Sequence, residues 1–393
     1  MSVLARASRS SSARAEQRLI LLSAGTAARR RELGERAVEA ARRVDWSQLA
    51  GVLSARKLLT VLGPRMLELP ALSADAGFAD AVERALVAAR RRGAFLQMIS
   101  AHVRGALAGA GIRSAGLKGP FLAEDIYGDP GRRISGDIDL LVAAEQLHEA
   151  VAVARGLGYE LASTYVEASG LPPLHFVLVH ATQELPPLEL HWRVHWYERD
   201  FSRQRLLPPD VAGQERWRPA PADELVALLL FYARDGFIDL RLATDLSAWW
   251  DRHGSEVSAA AVAGLLGEYP ELARVVPAAL AVAERVVGLP ASSLLAEMPA
   301  LGLRQRLAAR LANPNPRSSR SQLYADMGLV DGLLAPPGGA GAFVRRQLLP
   351  PPEVLDEQAR HGEKRQARSR VGRCTGVLAR YGWRMARLVA GST

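Results

Sequence analysis

Two aspartates, Asp137 and Asp139, are the residues of this chain whose spacing most clearly suggests chemistry. Asp137 immediately precedes the largely apolar segment Ile-Asp-Leu-Leu-Val at residues 138–142, and Asp139 lies within it. This segment predicts a strand over 137–143. Because successive side chains of a strand point to opposite faces, we expect both carboxylates on one face. Two carboxylates that close repel each other unless a cation lies between them, and Mg²⁺ prefers such oxygen ligands. The pattern therefore indicates metal-assisted chemistry on a nucleotide phosphate.

A third carboxylate comes from a segment in which apolar and polar residues alternate, Leu-Glu-Leu-His-Trp-Arg-Val-His-Trp at 188–196. The alternation predicts a half-buried strand with one polar face, formed by Glu189, His191, Arg193 and His195. If this strand lies beside the aspartate strand, Glu189 joins the two aspartates at one pair of metal ions. Two such ions can stabilise the attacking and the leaving oxygen of an in-line displacement at phosphorus.

His191 stands two residues after Glu189 on the same predicted face, which leaves two roles open. It could take the proton from an acceptor hydroxyl as a general base, or it could be a structural histidine that holds hydrogen bonds. The structural role is the more common one. A zinc site formed with His195 is not favoured, because a spacing of four residues brings two imidazoles together on a helix and not on a strand.

Phosphate-binding groups are expected between a predicted strand at 113–117 and a predicted helix at 120–127, which begins with a proline as helices allow. Lys118 and Gly119 lie at this junction, where the helix N-terminus favours anions. Lysine occurs only at positions 57, 118 and 364 of the chain. Its compact ammonium suits a phosphate group, so Lys118 is a candidate ligand.

Arginine–carboxylate pairs are also expected from the spacing of charges. Arg133 could bind a phosphate or could form an ion pair with Asp129 or Glu124. Arg241 and Asp245, four residues apart in a predicted helix, are expected to form an ion pair on its surface.

Three segments give the chain a family resemblance: Leu-Lys-Gly at 117–119, Arg-x-x-x-Asp-Ile-Asp-Leu-Leu-Val at 133–142 and Glu-Leu-His-Trp at 189–192. With these segments the chain resembles the polymerase-β-type nucleotidyltransferase superfamily and, within it, a large bacterial group of uncharacterised nucleotidyltransferases. It departs from the superfamily at 118–120, where Lys-Gly-Pro replaces the usual Gly-Gly or Gly-Ser pair.

The resemblance implies that three acidic residues bind catalytic Mg²⁺ or Mn²⁺ and carry the reaction, namely Asp137, Asp139 and Glu189. It also implies that the nucleotide phosphates pass Gly119, with Lys118 and Arg133 as cations beside them. We add His191 to these nucleotide-side residues because it shares the predicted face of Glu189. The expected co-substrate is an NTP, with ATP as the first choice, and the expected acceptor is a small molecule or a peptide.

The chain is expected to have an α+β fold, and the resemblance implies the mixed sheet of polymerase-β-type nucleotidyltransferases, flanked by N-terminal helices and a C-terminal all-α region. Further strands are predicted over 159–163 and 175–180, and a helix over 145–157. The expected organisation along the chain is a poorly ordered N-terminus at 1–30, an N-terminal helical region at 31–110, a catalytic core at 111–215 and a C-terminal helical region at 216–393. The last predicted element is a basic amphipathic helix over 363–389.

Composition limits the other classes of function. The single cysteine, Cys374, excludes a disulfide framework and a cysteine-based zinc site, and a reducing cytoplasm is the simplest compartment. No apolar run reaches the length of a membrane span. The net charge of +9 comes largely from arginine clusters near the chain ends, which are more often solvated faces than nucleic-acid sites. Nucleic acid is therefore a partner that the sequence does not favour, and the oligomeric state is not determined.

Three functions are consistent with these residues. The first is an enzyme that moves a nucleoside monophosphate from an NTP to an acceptor hydroxyl. The second is a kinase-like phosphotransferase that directs attack to the γ-phosphate with the same metal site. The third is a non-catalytic, antitoxin-like or RNA-associated binding module. Clustered carboxylates argue against the third, because a scaffold does not need them.

Overall fold

The computed structural model describes residues 3–69, 75–162, 173–214, 217–312 and 320–336, together with the single residues 379 and 382. The helices are α1 Val3–Ser23, α2 Ala27–Glu32, α3 Gly34–Ala41, α4 Trp46–Ala55, α5 Leu59–Leu67, α6 Ala76–Gly109, α7 Pro120–Tyr127, α8 Leu147–Gly156, α9 Phe201–Arg205, α10 Pro221–Arg234, α11 Leu240–His253, α12 Ala259–Glu268, α13 Val276–Val287, α14 Ala291–Leu294, α15 Leu303–Leu311 and α16 Arg320–Leu334. The strands are β1 Ser114–Gly116, β2 Ile138–Val142, β3 Tyr159–Leu161, β4 His175–His180 and β5 Leu188–His191. Apart from the helical residues 379 and 382, the predicted C-terminal basic helix at 363–389 lies outside the described residues.

The five strands form one sheet in the order β1-β2-β5-β4-β3. The pair β2–β5 is parallel and the other three pairs are antiparallel, so the sheet is mixed and the predicted α+β class is confirmed. All five residues of β2 are buried, as expected for a strand covered on both faces. Ile138 and Leu140 pack in a cluster with α6 and α8, whereas Leu141 belongs to the core on the opposite face.

Helix α7 begins and ends where local chemistry requires it. Gly119 precedes the helix with φ of 76°, a left-handed conformation that glycine adopts without steric cost. Pro120 fills the first helical position, and Gly128 closes the helix with φ of 66°. The bounds agree with the helix predicted over 120–127. The chain thus passes from β1 into a helix whose N-terminus lies at Lys118 and Gly119.

Strand β5 is shorter than the sequence predicts. The alternating pattern runs to residue 196, but the strand ends at His191. The reason is the buried carboxylate of Glu198, which accepts hydrogen bonds from the amides of Val194 at 2.5 Å and His195 at 3.1 Å. These amides bend the backbone around Glu198 and do not continue the sheet. Arg193 and His195 therefore do not extend the polar face that carries Glu189.

The N-terminal segment also differs from the expectation of poor order over residues 1–30. Helix α1 covers Val3–Ser23, and Leu19 and Ile20 are buried in the core. Thr26 then starts α2, and its amide donates to the carbonyl of Val287 at 2.8 Å. The short apolar run around Leu19 is sufficient to bury one face of a helix, and this burial outweighs the polar composition of the segment.

One hydrophobic core joins the helices before the sheet to the helices after it, from Leu19 to Leu334. The loop that leads into β2 is held between these two groups of helices. Its carbonyls accept hydrogen bonds from Thr60 at Arg132 (2.9 Å), from Arg241 at Ile134 (3.1 Å) and from Arg92 at Gly136 (3.2 Å). The surrounding helices therefore fix the position of the loop that carries Asp137.

Across the described parts of the chain, none of the helices combines the length and the apolar character that a membrane crossing requires.

Candidate functional site

Asp139 and Glu189 lie side by side in the centre of the sheet. They are direct partners in the parallel pair β2–β5, so the two carboxylates occupy neighbouring positions on one face. The Asp139 side chain is 1% exposed and the Glu189 side chain 19% exposed. The prediction that Glu189 lies near the aspartates depended on these two strands being neighbours, and the structure shows that they are.

Lys118 supplies the positive charge closest to Asp139. Its Nζ lies 3.0 Å from Asp139 Oδ1 and 5.3 Å from the centre of the Phe231 ring. Burial by itself would raise the pKa of Asp139, but Lys118 and His191 outweigh it and hold that pKa well below its usual range. Asp139 is therefore an ionised carboxylate inside the protein, available as a ligand for a cation or for a charged group of a substrate.

His191 connects the two carboxylates from the floor of the site. Its Nε2 lies 3.1 Å from Asp139 Oδ1 and 3.2 Å from Glu189 Oε2, and its side chain is fully buried. One N–H can therefore donate to both acids and fix their separation. This geometry fits the structural role for His191, in which the histidine positions the carboxylates. It is the more common of the two roles that the sequence left open.

His175, which no sequence motif indicates, lies beside His191 below the two carboxylates. It is the partner of His191 in the antiparallel pair β4–β5, and the two imidazoles stack with centroids 4.5 Å apart. Its Nε2 lies 3.5 Å from Glu189 Oε2, and burial lowers the pKa of His175 to about 3. Ligand atoms of His175, Glu189 and His191 all lie within 4.8 Å of one another, close enough to share a metal ion. Only the strand register reveals His175, because its position in the sequence carries no motif.

Asp137 lies in a bend immediately before β2 and is partly exposed. Within the described ranges, no lysine, arginine or histidine comes within ion-pair distance of its carboxylate. Asp137 is thus the more accessible of the two aspartates.

Arg133 has a partner that the sequence did not indicate. Its Nε donates to Asp245 Oδ2 at 2.7 Å, its Nη1 donates to Ser135 Oγ at 2.9 Å, and the ion pair is almost completely buried. Tyr127 also donates to Asp245, at 2.9 Å. Asp245 therefore joins α7, α11 and the loop before β2. The Arg133 Nη2 is buried without a hydrogen-bond partner in the described part of the protein, which leaves one donor for a ligand.

The ion pairs that the sequence suggested for Arg133 with Asp129 or Glu124, and for Arg241 with Asp245, are wrong. Asp129 pairs with Arg90 at 2.8 Å, and Arg241 pairs with Asp239 at 3.4 Å. Asp245 is buried against the loop, so it cannot form a surface pair with Arg241 on the outside of α11.

Gly119 brings the N-terminus of α7 against the loop before β2. A Cβ added at Gly119 would lie 3.4 Å from Ser135 Oγ, and its φ of 76° strains any other residue. Free backbone amides at the first turn of a helix favour anions. Lys118, Gly119 and Ser135 therefore form one wall beside the acidic residues.

The donor set fits a hard divalent cation. Asp139 and Glu189 offer neighbouring carboxylate oxygens, and Asp137 lies at the beginning of the same strand, the ligand chemistry that Mg²⁺ or Mn²⁺ prefers. The cation that now balances Asp139 is the ammonium of Lys118. A metal ion would supply a positive charge for the carboxylates, and a negatively charged ligand bound with it would supply a counter-charge for the ammonium of Lys118.

A comparison with protein families finds that the model described as "Uncharacterised nucleotidyltransferase" matches residues 42–288, which contain every candidate residue above. No curated protein and no solved structure matches the chain.

Proposed function

The chain belongs to the family of uncharacterised nucleotidyltransferases, and on this premise we propose that it transfers a nucleoside monophosphate from an NTP to a hydroxyl group of a small molecule or a peptide. The observation that carries this proposal is the pair Asp139–Glu189, held side by side by His191 and balanced by Lys118. This arrangement also supports the polymerase-β type of active site that the resemblance implies.

Asp137, Asp139 and Glu189 would hold Mg²⁺ or Mn²⁺. When bound, the metal supplies positive charge to the reacting phosphate and to the oxygens that attack and leave. Lys118 would bind a phosphate oxygen, since its ammonium lies 3.0 Å from Asp139 and its backbone immediately precedes Gly119, the N-cap of α7. The backbone at Gly119 leaves room for the phosphates, and Arg133 holds the loop through Asp245 while its Nη2 is available to them.

In the proposed reaction the acceptor oxygen forms a bond to the α-phosphorus, and the bond from this phosphorus to the bridging oxygen breaks. Pyrophosphate leaves with the electron pair, and the hydroxyl proton passes to solvent or to a carboxylate of the site. We assign His191 a positioning role, because its Nε2 is already within hydrogen-bond distance of both acids and is buried away from solvent.

The test uses ATP labelled at the α- or the γ-phosphate, with Mg²⁺ and a pool of hydroxyl-bearing small molecules and peptides. Label from the α-position is expected in product, and Asp139→Asn and Glu189→Gln should abolish it. Asp200→Asn, at an exposed surface aspartate, is the matched control and should leave transfer unchanged.

Label from the γ-position alone would replace this proposal with a phosphotransferase. A protein that binds neither ATP nor Mg²⁺, with no rise in Tm on their addition, would be a non-catalytic module.

A further inference from the structure

Lys57 has a backbone conformation that lysine rarely adopts. It lies at the end of α4 with φ of 56°. Its amide donates to the carbonyl of Ser54 at 3.0 Å, and the amide of Leu58 donates to the carbonyl of Leu53 at 2.8 Å. These two bonds define a left-handed helix end of the kind that glycine usually occupies. A lysine in this backbone conformation is strained, so we expect its side chain to have a role that compensates for the strain.

The side chain of Lys57 reaches the loop that carries Asp137. Its Nζ lies 3.9 Å from the position of a Cβ built on Gly136, the residue immediately before Asp137. Arg92 donates to the Gly136 carbonyl at 3.2 Å. Two cations from the N-terminal helices therefore flank the entry to the acidic strand.

The ammonium of Lys57 is available for an anion. Lys57 is exposed, and no carboxylate of the described residues lies within ion-pair distance of it. The chain has 393 residues but only three lysines, of which Lys118 already contacts Asp139. Lys57 is thus exposed, unpaired among the described residues and strained, and it lies next to a candidate metal-binding aspartate. These features indicate a binding site for an anionic ligand.

We propose that Lys57 binds the pyrophosphate portion of the NTP at the mouth of the site. This inference rests on the proposed function and assigns a residue outside the sheet to the triphosphate. The β- and γ-phosphates carry most of the charge of an NTP and gain charge as pyrophosphate leaves. An ammonium at this edge therefore contributes both to the binding of the triphosphate and to the departure of pyrophosphate.

The test measures the affinity of the full chain for Mg²⁺–pyrophosphate, for a non-hydrolysable ATP analogue and for AMP by calorimetry. Lys57→Gly removes the ammonium and relieves the backbone strain. Lys57→Arg keeps the positive charge. Gln183→Gly is the matched control, because Gln183 also has a left-handed φ, of 57°, but lies in the exposed turn that follows β4.

Lys57→Gly is expected to weaken pyrophosphate and ATP-analogue binding roughly tenfold and to leave AMP binding unchanged. Its Tm should stay the same or rise by roughly 2 °C, as for Gln183→Gly. Lys57→Arg should retain most of the affinity.

Unchanged pyrophosphate affinity in Lys57→Gly, or an equal loss for AMP, would overturn the assignment. In either case the proposed nucleotidyl transfer stands if the Glu189→Gln substitution still abolishes the transfer of the α-phosphate label. Failure of the unmodified protein to bind pyrophosphate or ATP at all would instead contradict both proposals.

Discussion

Asp139 and Glu189 stand opposite each other in neighbouring parallel strands, with one imidazole nitrogen within 3.2 Å of both carboxylates. Like charges directly opposite in a sheet are destabilising unless other groups balance them. Here Lys118 and His191 provide the balance, from a loop and from the sheet itself. The site is therefore held by interactions that also determine how strongly it attracts a cation and a phosphate.

Replacing Lys118 should make the protein depend on a metal ion. Lys118→Met leaves the buried carboxylate of Asp139 without its closest cation and should lower the free energy of unfolding by about 3 kcal/mol. Mg²⁺ should then stabilise the variant more than the unmodified protein, because it restores the lost charge. Urea denaturation with and without Mg²⁺ measures both effects. Arg43→Met, at an exposed ion pair with Glu39, should cost at most about 0.5 kcal/mol. An equal response of both proteins to Mg²⁺ would argue against a metal at Asp139.

Replacing His191 should weaken metal binding. His191→Phe removes the donor shared by Asp139 and Glu189 and should reduce Mn²⁺ affinity roughly ten- to a hundredfold. Electron paramagnetic resonance of free Mn²⁺ gives this affinity without any assay of turnover. His148→Phe, at an exposed histidine, is the control. A loss of turnover with unchanged Mn²⁺ affinity would instead make His191 a general base.

The buried pair Arg133–Asp245 should contribute strongly to stability. Asp245→Asn leaves the Arg133 guanidinium buried with no charge partner and should lower the free energy of unfolding by about 3–5 kcal/mol. The double variant Arg133→Met with Asp245→Leu should recover most of this stability, because it removes both buried charges. Denaturant unfolding of Arg133→Met, of Asp245→Leu and of the double variant gives the coupling energy. Additive losses would show that the pair does not act as a unit.

The pH dependence of stability should reveal the buried histidine His195. Burial lowers the pKa of His195 to about 3, whereas an unfolded histidine has a pKa of about 6.5. The unfolded chain therefore binds a proton that the folded protein does not, and stability falls as the pH drops from about 6.5 towards 3. His195→Gln should reduce the slope of unfolding free energy against pH between 4 and 6 by about 1.4 kcal/mol per unit. His148→Gln is the matched exposed control, and an unchanged slope in His195→Gln would contradict the prediction.

Local sequence signals were sufficient for several elements of the fold. Proline and glycine at the ends of α7 fixed that helix, and the strand predicted over 175–180 has the bounds of β4. The prediction for β5 was too long because alternation alone does not show that Glu198 would bind the following amides. The expected ion pair Arg241–Asp245 failed for a similar reason, since Asp245 has a buried partner 112 residues earlier in the chain.

The sequence by itself determined the types of chemical groups and, for residues that lie within a strand such as Asp139 and Glu189, the face on which each lies, because the alternation of side chains is a local property of the backbone. The tertiary structure alone decided which groups meet: Glu189 with Asp139, His175 with His191, Arg133 with Asp245, and Lys57 with the loop at Gly136. These contacts depend on strand register and on the packing of helices from distant parts of the chain, which no short segment encodes.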